Sequence, residues 1–219
     1  MAIEFNHLYI TLNPETLESI AKSEFIDQQF CTMSTDTVKT DAESWTGTYL
    51  RGKNAYVELF PPGGAEGLKE GFSGLGFNSP QAGEIDIVKE KLRSFLKSPE
   101  ILSYLQVRQT EVGQVPWFHY LSINPAAREA FASWLMEFHQ DYLDYKNIKL
   151  TSGGCFDRAA YLKDLNTSET CLFTIALLLF PLIPIFKLVI SCPGIKLPQF
   201  LTSNKIPFLI ISPIAAFID

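Results

Sequence analysis

The sequence predicts an α+β fold built from two βαβββ modules in series. Three observations carry that prediction. A strand-like run twice leads into an Asn-Pro or Ser-Pro helix-start signal, at Asn13-Pro14 and Ser79-Pro80. Each signal is followed by apolar residues at helical spacing. Each helical stretch is then followed by further β-type runs, so the order β-α-β-β-β occurs twice, over roughly residues 3–62 and 71–142.

The first strand is predicted over Phe5 to Leu12. Asn13 supplies an N-cap acceptor, and Pro14 lacks the amide that would be orphaned at the first helical position. Leu17, Ile20, Ala21 and Phe25 then repeat on one face, with Glu15, Glu18 and Lys22 outward. A weaker β-type stretch follows from Gln29 to Val38. Trp45 to Arg51 and Ala55 to Phe60 flank Gly52-Lys53-Asn54 in a hairpin pattern.

The second module restarts at Phe72 to Phe77. Ser79-Pro80 opens a helix carrying Ile85, Val88, Leu92, Phe95 and Leu96 on one face, with Glu84 and Asp86 near its positive end. The runs Tyr104 to Val112, Val115 to Ile123 and Ser133 to Phe138 complete the set. A third signal, Asn124-Pro125, opens only a short segment over Ala126 to Ala132. Sequence identity between the halves is slight, so the repeat is one of pattern.

Composition narrows the function. The chain has 219 residues, 47% of them hydrophobic and 19% charged, enough to bury a core and too apolar for disorder. Its 18 Lys+Arg against 24 Asp+Glu give a net charge of −6, which argues against nucleic acid, because phosphate binding needs clustered positive charge. Cys31, Cys155, Cys171 and Cys192 are dispersed, with no C-x-x-C pair and no histidine at zinc spacing, as expected of free thiols. The N-terminus has neither a basic region nor an apolar core of a secretory signal, and the expected location is the cytoplasm.

Four stretches together resemble the vicinal-oxygen-chelate superfamily, the glyoxalase and bleomycin-resistance-like proteins. They are Phe5-Asn6-His7-Leu8-Tyr9-Ile10, Ala55-Tyr56-Val57-Glu58-Leu59-Phe60, Gly71-Phe72-Ser73-Gly74-Leu75-Gly76-Phe77 and Trp134-Leu135-Met136-Glu137-Phe138. Glu43 to Gly47 (Glu-Ser-Trp-Thr-Gly) and Met136 to His139 (Met-Glu-Phe-His) are also similar to stretches of an uncharacterised bacterial glyoxalase-like family. The resemblance covers residues 1–146 and implies curved mixed sheets around a cavity. Residues 147–219 form an extension, apolar from about Cys171.

Strand alternation bears on the site that the resemblance implies. Phe5, His7, Tyr9 and Thr11 share one face of the first strand, and Tyr56, Glu58 and Phe60 share one face of the fourth. The opposite faces, Leu8, Ile10 and Leu12 and then Val57 and Leu59, are aliphatic and suit packing on helices. His7 and Glu58 thereby face the expected cavity. In the superfamily, first and last strands of a module are neighbours and carry His, Gln or Glu ligands for a divalent metal. The resemblance implies His7, Glu58 and, on the last strand of the second module, Glu137 as such ligands. The partner position on the restart strand holds Ser73 or Gly74, neither an imidazole nor an amide ligand.

One imidazole and two carboxylates suit Zn²⁺, Mn²⁺, Fe²⁺ or Ni²⁺, and ligand type does not choose among them. His119 is an alternative ligand if Trp117 and His119 face inward. The leading expectation is a glyoxalase-like metalloenzyme, a lyase or isomerase, whose metal chelates adjacent oxygens of a small substrate. Glu58 or Glu137 would then shuttle the proton. The rival is a metal-free binding protein whose cavity, lined by Tyr9, Tyr56, Phe60, Trp117 and His119, holds an apolar ligand. A buried Glu58 between Tyr56 and Phe60 needs a metal, a neighbour such as Tyr9, or the ligand itself to satisfy it. His139 reads as a surface residue. Trp45, Trp117 and Trp134 read as core or cavity wall, and Arg51 and Arg108 as solvated or facing an anionic substrate.

No G-x-S-x-G elbow, Walker loop or G-x-G-x-x-G fingerprint is present, so no nucleotide cofactor is expected. A homodimer is compatible with the resemblance.

From Thr170 onward only Lys187, Lys196, Lys205 and Asp219 are charged. Cys171 to Ile190 is long enough to cross a bilayer as a helix, but Pro181, Pro184 and Lys187 oppose that. A membrane anchor, a segment packed on the domain or a partner, and a stretch not selected for folding all remain open, with the last favoured over membrane contact.

Overall fold

The computed structural model describes residues 3–97, 100–123, 130–165, 174–179 and 186–191. Eight strands form one mixed sheet in the order β2-β3-β4-β1-β5-β8-β7-β6, curled into a half-barrel. The strands are β1 (Glu4–Thr11), β2 (Thr32–Lys39), β3 (Ser44–Arg51), β4 (Tyr56–Phe60), β5 (Ser73–Asn78), β6 (Ile101–Thr110), β7 (Gly113–Ile123) and β8 (Phe131–Phe138). β1 lies parallel to β4, and β5 lies parallel to β8. The two modules meet where β1 and β5 pair antiparallel at the centre of the sheet. The expected α+β class and its two-module order are therefore what the chain adopts.

The helices cover the convex face. Helix α1 (Pro14–Ala21) starts as expected, with Asn13 Oδ1 accepting the Thr16 amide at 2.8 Å and proline at the first position. Its Leu17 and Ile20 pack against Phe30, Cys31, Leu50, Val57 and Leu59. Between α1 and β2 the chain passes through a short π-helical turn, Ile26–Phe30, so the strand begins at Thr32, later than expected.

Helix α2 (Glu84–Phe95) packs Ile85, Val88 and Leu92 onto Leu75, Phe77, Leu121 and Leu135. It does not begin at Pro80. Its N-terminal boundary is Gly83, in the left-handed region at φ 85°, with no side-chain cap of its own. Ser79 Oγ instead donates to Glu84 Oε2 at 2.7 Å. The amides at the helix start are capped from another strand, as described below.

Of the segment expected to follow Asn124-Pro125, residues 124–129 lie outside the described residues, whereas Phe131 and Ala132 belong to β8. The alternation expected along the first strand is interrupted. A bulge between Phe5 and His7 inserts Asn6 into β1. It turns Phe5 to the helix side, against Phe77, so Phe5 does not share a face with His7.

After β8 the chain forms α3 (Gln140–Tyr145) and α4 (Arg158–Leu165). The intervening segment is tied down by the Phe156 amide, which donates to the Pro80 carbonyl at 2.7 Å, and by Phe156 packing on Phe138 and Tyr161. Beyond α4, β9 (Thr174–Leu179) and β10 (Phe186–Ser191) pair antiparallel with each other. Those parts of the apolar run are therefore strands rather than one helix. No helix among the described residues is long and apolar enough to cross a membrane.

Candidate functional site: an aromatic cavity with a buried His–Glu pair

The concave face of the half-barrel encloses a cavity of about 970 Å³. Its position follows from the modular pairing: β1, β4, β5 and β8 form the floor, and the outer strands of both modules form the walls. Tyr9, Tyr56, Phe60 and Trp117, expected at a cavity wall, line it, as do His7 and Glu58.

The glycines of β5 make that floor possible. A Cβ on Gly76 would stand 2.7 Å from His7 Cε1, and one on Gly74 would stand 2.5 Å from Tyr9 Cε1 and 2.9 Å from Trp134 Cζ3. The restart strand therefore leaves room for the rings of β1 and β8 in place of ligating side chains.

His7 and Glu58 are 5% and 6% exposed, so both are effectively out of bulk water. His7 stacks on Tyr56 with ring centres 4.6 Å apart and meets Trp134 edge-on at 5.1 Å. Its Nδ1 lies 2.8 Å from Asn6 Oδ1. With that oxygen as acceptor, Nδ1 carries the proton and Nε2 presents a lone pair. Nε2 in turn lies 3.8 Å from Glu58 Oε2. The other carboxylate oxygen, Oε1, accepts from Trp45 Nε1 at 3.2 Å, and the Tyr49 hydroxyl also bonds this carboxylate.

Burial governs both protonation states. Desolvation, with the Arg158 cation as the second cause, pulls His7 down to about 3. Desolvation pushes Glu58 up to about 7, against the lowering effect of its bonds from Tyr49 and Trp45. The imidazole is thus neutral at pH 7 and the carboxyl group is poised near half-ionisation, so the two do not form an ion pair.

Glu137 is elsewhere. Toward the end of β8 Trp134 and Met136 line the cavity, while Leu135 is fully buried under α2. Glu137 shares the helix-side face, and its two oxygens accept the Gly83 and Ile85 amides at 2.8 and 2.9 Å. The first amides of a helix have no intrahelical acceptor, and a carboxylate there is also favoured by the helix dipole. That requirement takes the side chain that resemblance had put beside His7 and Glu58.

His119 also lies away from the cavity lining, with its ring 5.7 Å from that of His139. A bulge in β7 opposite Gln106 and Val107 lets both Trp117 and Phe118 line the cavity despite being adjacent.

The structure thus brings His7 and Glu58 together and brings neither Glu137 nor His119 to them. Among the described residues no group of three or more His, Cys, Asp or Glu side chains is arranged to hold a metal ion. The nearby positions carry Gly74, Gly76, Trp134 and Met136, so one nitrogen and one carboxylate are the donors at this point. That set does not fit the three-ligand centre implied by resemblance.

Several contributors to the site had no legible signal in the sequence. Arg158, on α4, is buried over the Tyr56 ring at 5.4 Å and donates to the carbonyls of Asn6 at 2.6 Å and Asn54 at 2.9 Å. Tyr161, Leu162 and Leu165 of the same helix, with Tyr142 of α3, complete the wall. Tyr49 also lines the cavity without such a signal, whereas Trp45 and Trp134, read from the sequence as core or cavity wall, line it as well; Trp45 and Tyr49 both bond Glu58. Arg51 is paired with Asp36 at 2.9 Å, and Arg108 lies over the Trp117 ring at 4.7 Å.

Fold and site together define an α+β half-barrel enclosing an aromatic cavity with a buried His–Glu pair at its floor. The chain belongs to a family of unknown function, DUF5829, whose family model matches residues 5–177. None of the curated proteins matches it. Among solved structures it is similar to a hypothetical protein from Staphylococcus aureus, at 13% identity over 80% of this chain and 67% of that one, with a TM-score of 0.47. A mutant of 4-hydroxymandelate synthase from Streptomyces coelicolor matches at 14% identity over 63% of this chain and 48% of that one, TM-score 0.33. A xylose isomerase-like TIM barrel/4-hydroxyphenylpyruvate dioxygenase fusion protein matches at 11% identity over 73% of this chain and 29% of that one, TM-score 0.33. The chain spans less than half the length of the last two, and likenesses this distant bear on neither chemistry nor ligand.

Proposed function

We propose that this protein binds a small organic molecule in the concave face of its half-barrel, and does so without a metal. The observation that carries this reading is the cavity itself. Its volume of about 970 Å³ is within the range of small-molecule sites, and its wall combines aromatic rings with polar and charged side chains, among them Arg51, Arg108 and Lys146. The donor chemistry at the floor favours this over a metal-centred reaction, because Glu137 is occupied by the start of α2.

The test uses the full chain dialysed against EDTA. Indole-sized aromatic fragments are expected to quench the tryptophan fluorescence to the same extent before and after addition of Zn²⁺, Mn²⁺, Fe²⁺ or Ni²⁺. Stoichiometric metal in the purified protein that disappears in His7→Ala and Glu58→Ala, or fragment binding that requires added metal, would overturn the reading.

A further inference from the structure

We infer that the ligand class of this cavity is an organic ammonium ion, a protonated amine on an apolar frame, with its nitrogen seated between His7 Nε2 and Glu58 Oε2. This rests on the reading of the cavity as a small-molecule site.

With Nδ1 engaged by Asn6 Oδ1 at 2.8 Å, His7 Nε2 is an acceptor. Glu58 Oε1 takes the Trp45 indole N–H, the Tyr49 hydroxyl also donates to this carboxylate, and Oε2 is the oxygen that faces His7. Two acceptors therefore confront each other at 3.8 Å, too far for a direct hydrogen bond in either protonation state of Glu58. A centre bearing several N–H groups satisfies both at once. A hydroxyl donates only one hydrogen, and a carboxylate donates none.

Charge points the same way. Glu58 is buried, and among the described residues no Lys or Arg forms an ion pair with it. Of the cations lining the cavity, Arg51 is engaged by Asp36, Arg108 lies over the Trp117 ring and donates to the Tyr142 hydroxyl, and Lys146 lies over the Tyr145 ring; Arg158, outside the lining, bonds the carbonyls of Asn6 and Asn54. A buried carboxylate lacking a counter-charge is costly, which is why burial raises its pKa. A cationic ligand removes that cost by pairing with it.

The surroundings suit an ammonium group rather than a hydrated metal ion. Tyr56 and Trp134 pack directly on His7, and Tyr9 joins Trp134 and Phe60, so the pair sits within a cluster of aromatic rings. Such rings attract organic cations through their quadrupoles and bury the attached hydrocarbon.

The experiment compares three probes with one ring and three charges: benzylammonium, benzyl alcohol and benzoate. They are titrated into the full-length chain at about pH 8, above the value of about 7 to which burial raises Glu58, with tryptophan fluorescence as the readout. Benzylammonium is expected to bind at least about tenfold more tightly than either of the others, a difference of about 1.4 kcal/mol. In Glu58→Gln the affinities for benzylammonium and benzyl alcohol are expected to converge. Equal affinity of the wild type for benzylammonium and benzyl alcohol, or a preference for benzoate, overturns the ammonium assignment and leaves a small-molecule cavity standing. Binding of none of the three overturns both. The wild-type comparison decides the matter even if the variant does not fold.

Discussion

The Glu58 carboxylate stands 3.8 Å from His7 Nε2 at the floor of an aromatic cavity, yet the two are not an ion pair. Burial drives their proton affinities in opposite senses, His7 down to about 3 and Glu58 up to about 7. The relationship is one of two groups that both resist charge, held adjacent by the parallel pairing of β1 with β4. Its consequences are measurable without knowing the ligand.

Stability should fall on both sides of a plateau. The folded-state pKa of Glu58 is raised, so its contribution is complete below about 4.5 and is lost as pH rises through about 7. His7 is lowered, so its contribution is complete above about 6.5 and is lost as pH falls through about 3. Between about 4.5 and 6.5 the two slopes oppose each other. The alkaline loss from Glu58 is about 3 kcal/mol in total, mostly offset by His7 until pH exceeds 6.5. From about pH 6.5 to about 8.5 the urea midpoint should decline slightly in the wild type and not decline in Glu58→Gln, where only the His7 contribution is still growing; an equal decline in the variant refutes this account.

Glu137 should prove to be a stability residue. Glu137→Ala removes the acceptor of two helix-start amides and is expected to cost about 2–4 kcal/mol. Hydrogen exchange at Gly83 and Ile85 should accelerate, while fragment binding in the cavity persists. Loss of binding in a variant that remains folded would contradict this placement.

Gly76→Ala tests the complementarity of β5 and β1. Its Cβ would lie 2.7 Å from His7 Cε1, so the imidazole must move or the strands separate. A destabilisation of about 1–3 kcal/mol is expected, together with shifted ring resonances of His7 in NMR spectra. Unchanged resonances and unchanged stability would show that the ring does not occupy that space.

Arg158→Ala should loosen α4 and retune His7. The guanidinium satisfies two backbone carbonyls, so its removal should cost about 2–3 kcal/mol and expose the segment after Asn147 to limited proteolysis. Because the Arg158 charge is one of the causes that lower His7, the imidazole should titrate at higher pH in the variant. NMR titration of His7 reads this directly; a value unmoved or lowered would contradict it.

The order of elements was legible because it depends on local patterns. The Asn13-Pro14 cap, the apolar faces of both helices and the alternation of Tyr56, Glu58 and Phe60 are written within a few residues of where they act. From these follow two βαβββ modules and a buried acid on the fourth strand. The direction of Glu137 was not legible by that route. Alternation assigns it to the face of Leu135, but which face is concave depends on where α2 packs and on the unpaired amides at Gly83 and Ile85. The glycines at 74 and 76 were a readable sign that the restart strand carries no ligand, since their spacing of two leaves one face bare.

By itself, then, the sequence determined the fold class and the modular order, while the meeting of the His7 strand with the Glu58 strand was only what the family resemblance implied. Tertiary structure alone decided which side chains share the cavity. It turned Phe5 outward through a bulge, drew Glu137 to a helix terminus and brought Arg158 from distant sequence to the back of His7. The physical reason is range. Hydrophobic periodicity and capping act between near neighbours in the chain, whereas satisfying a buried charge or an unpaired amide is settled only when distant segments pack together.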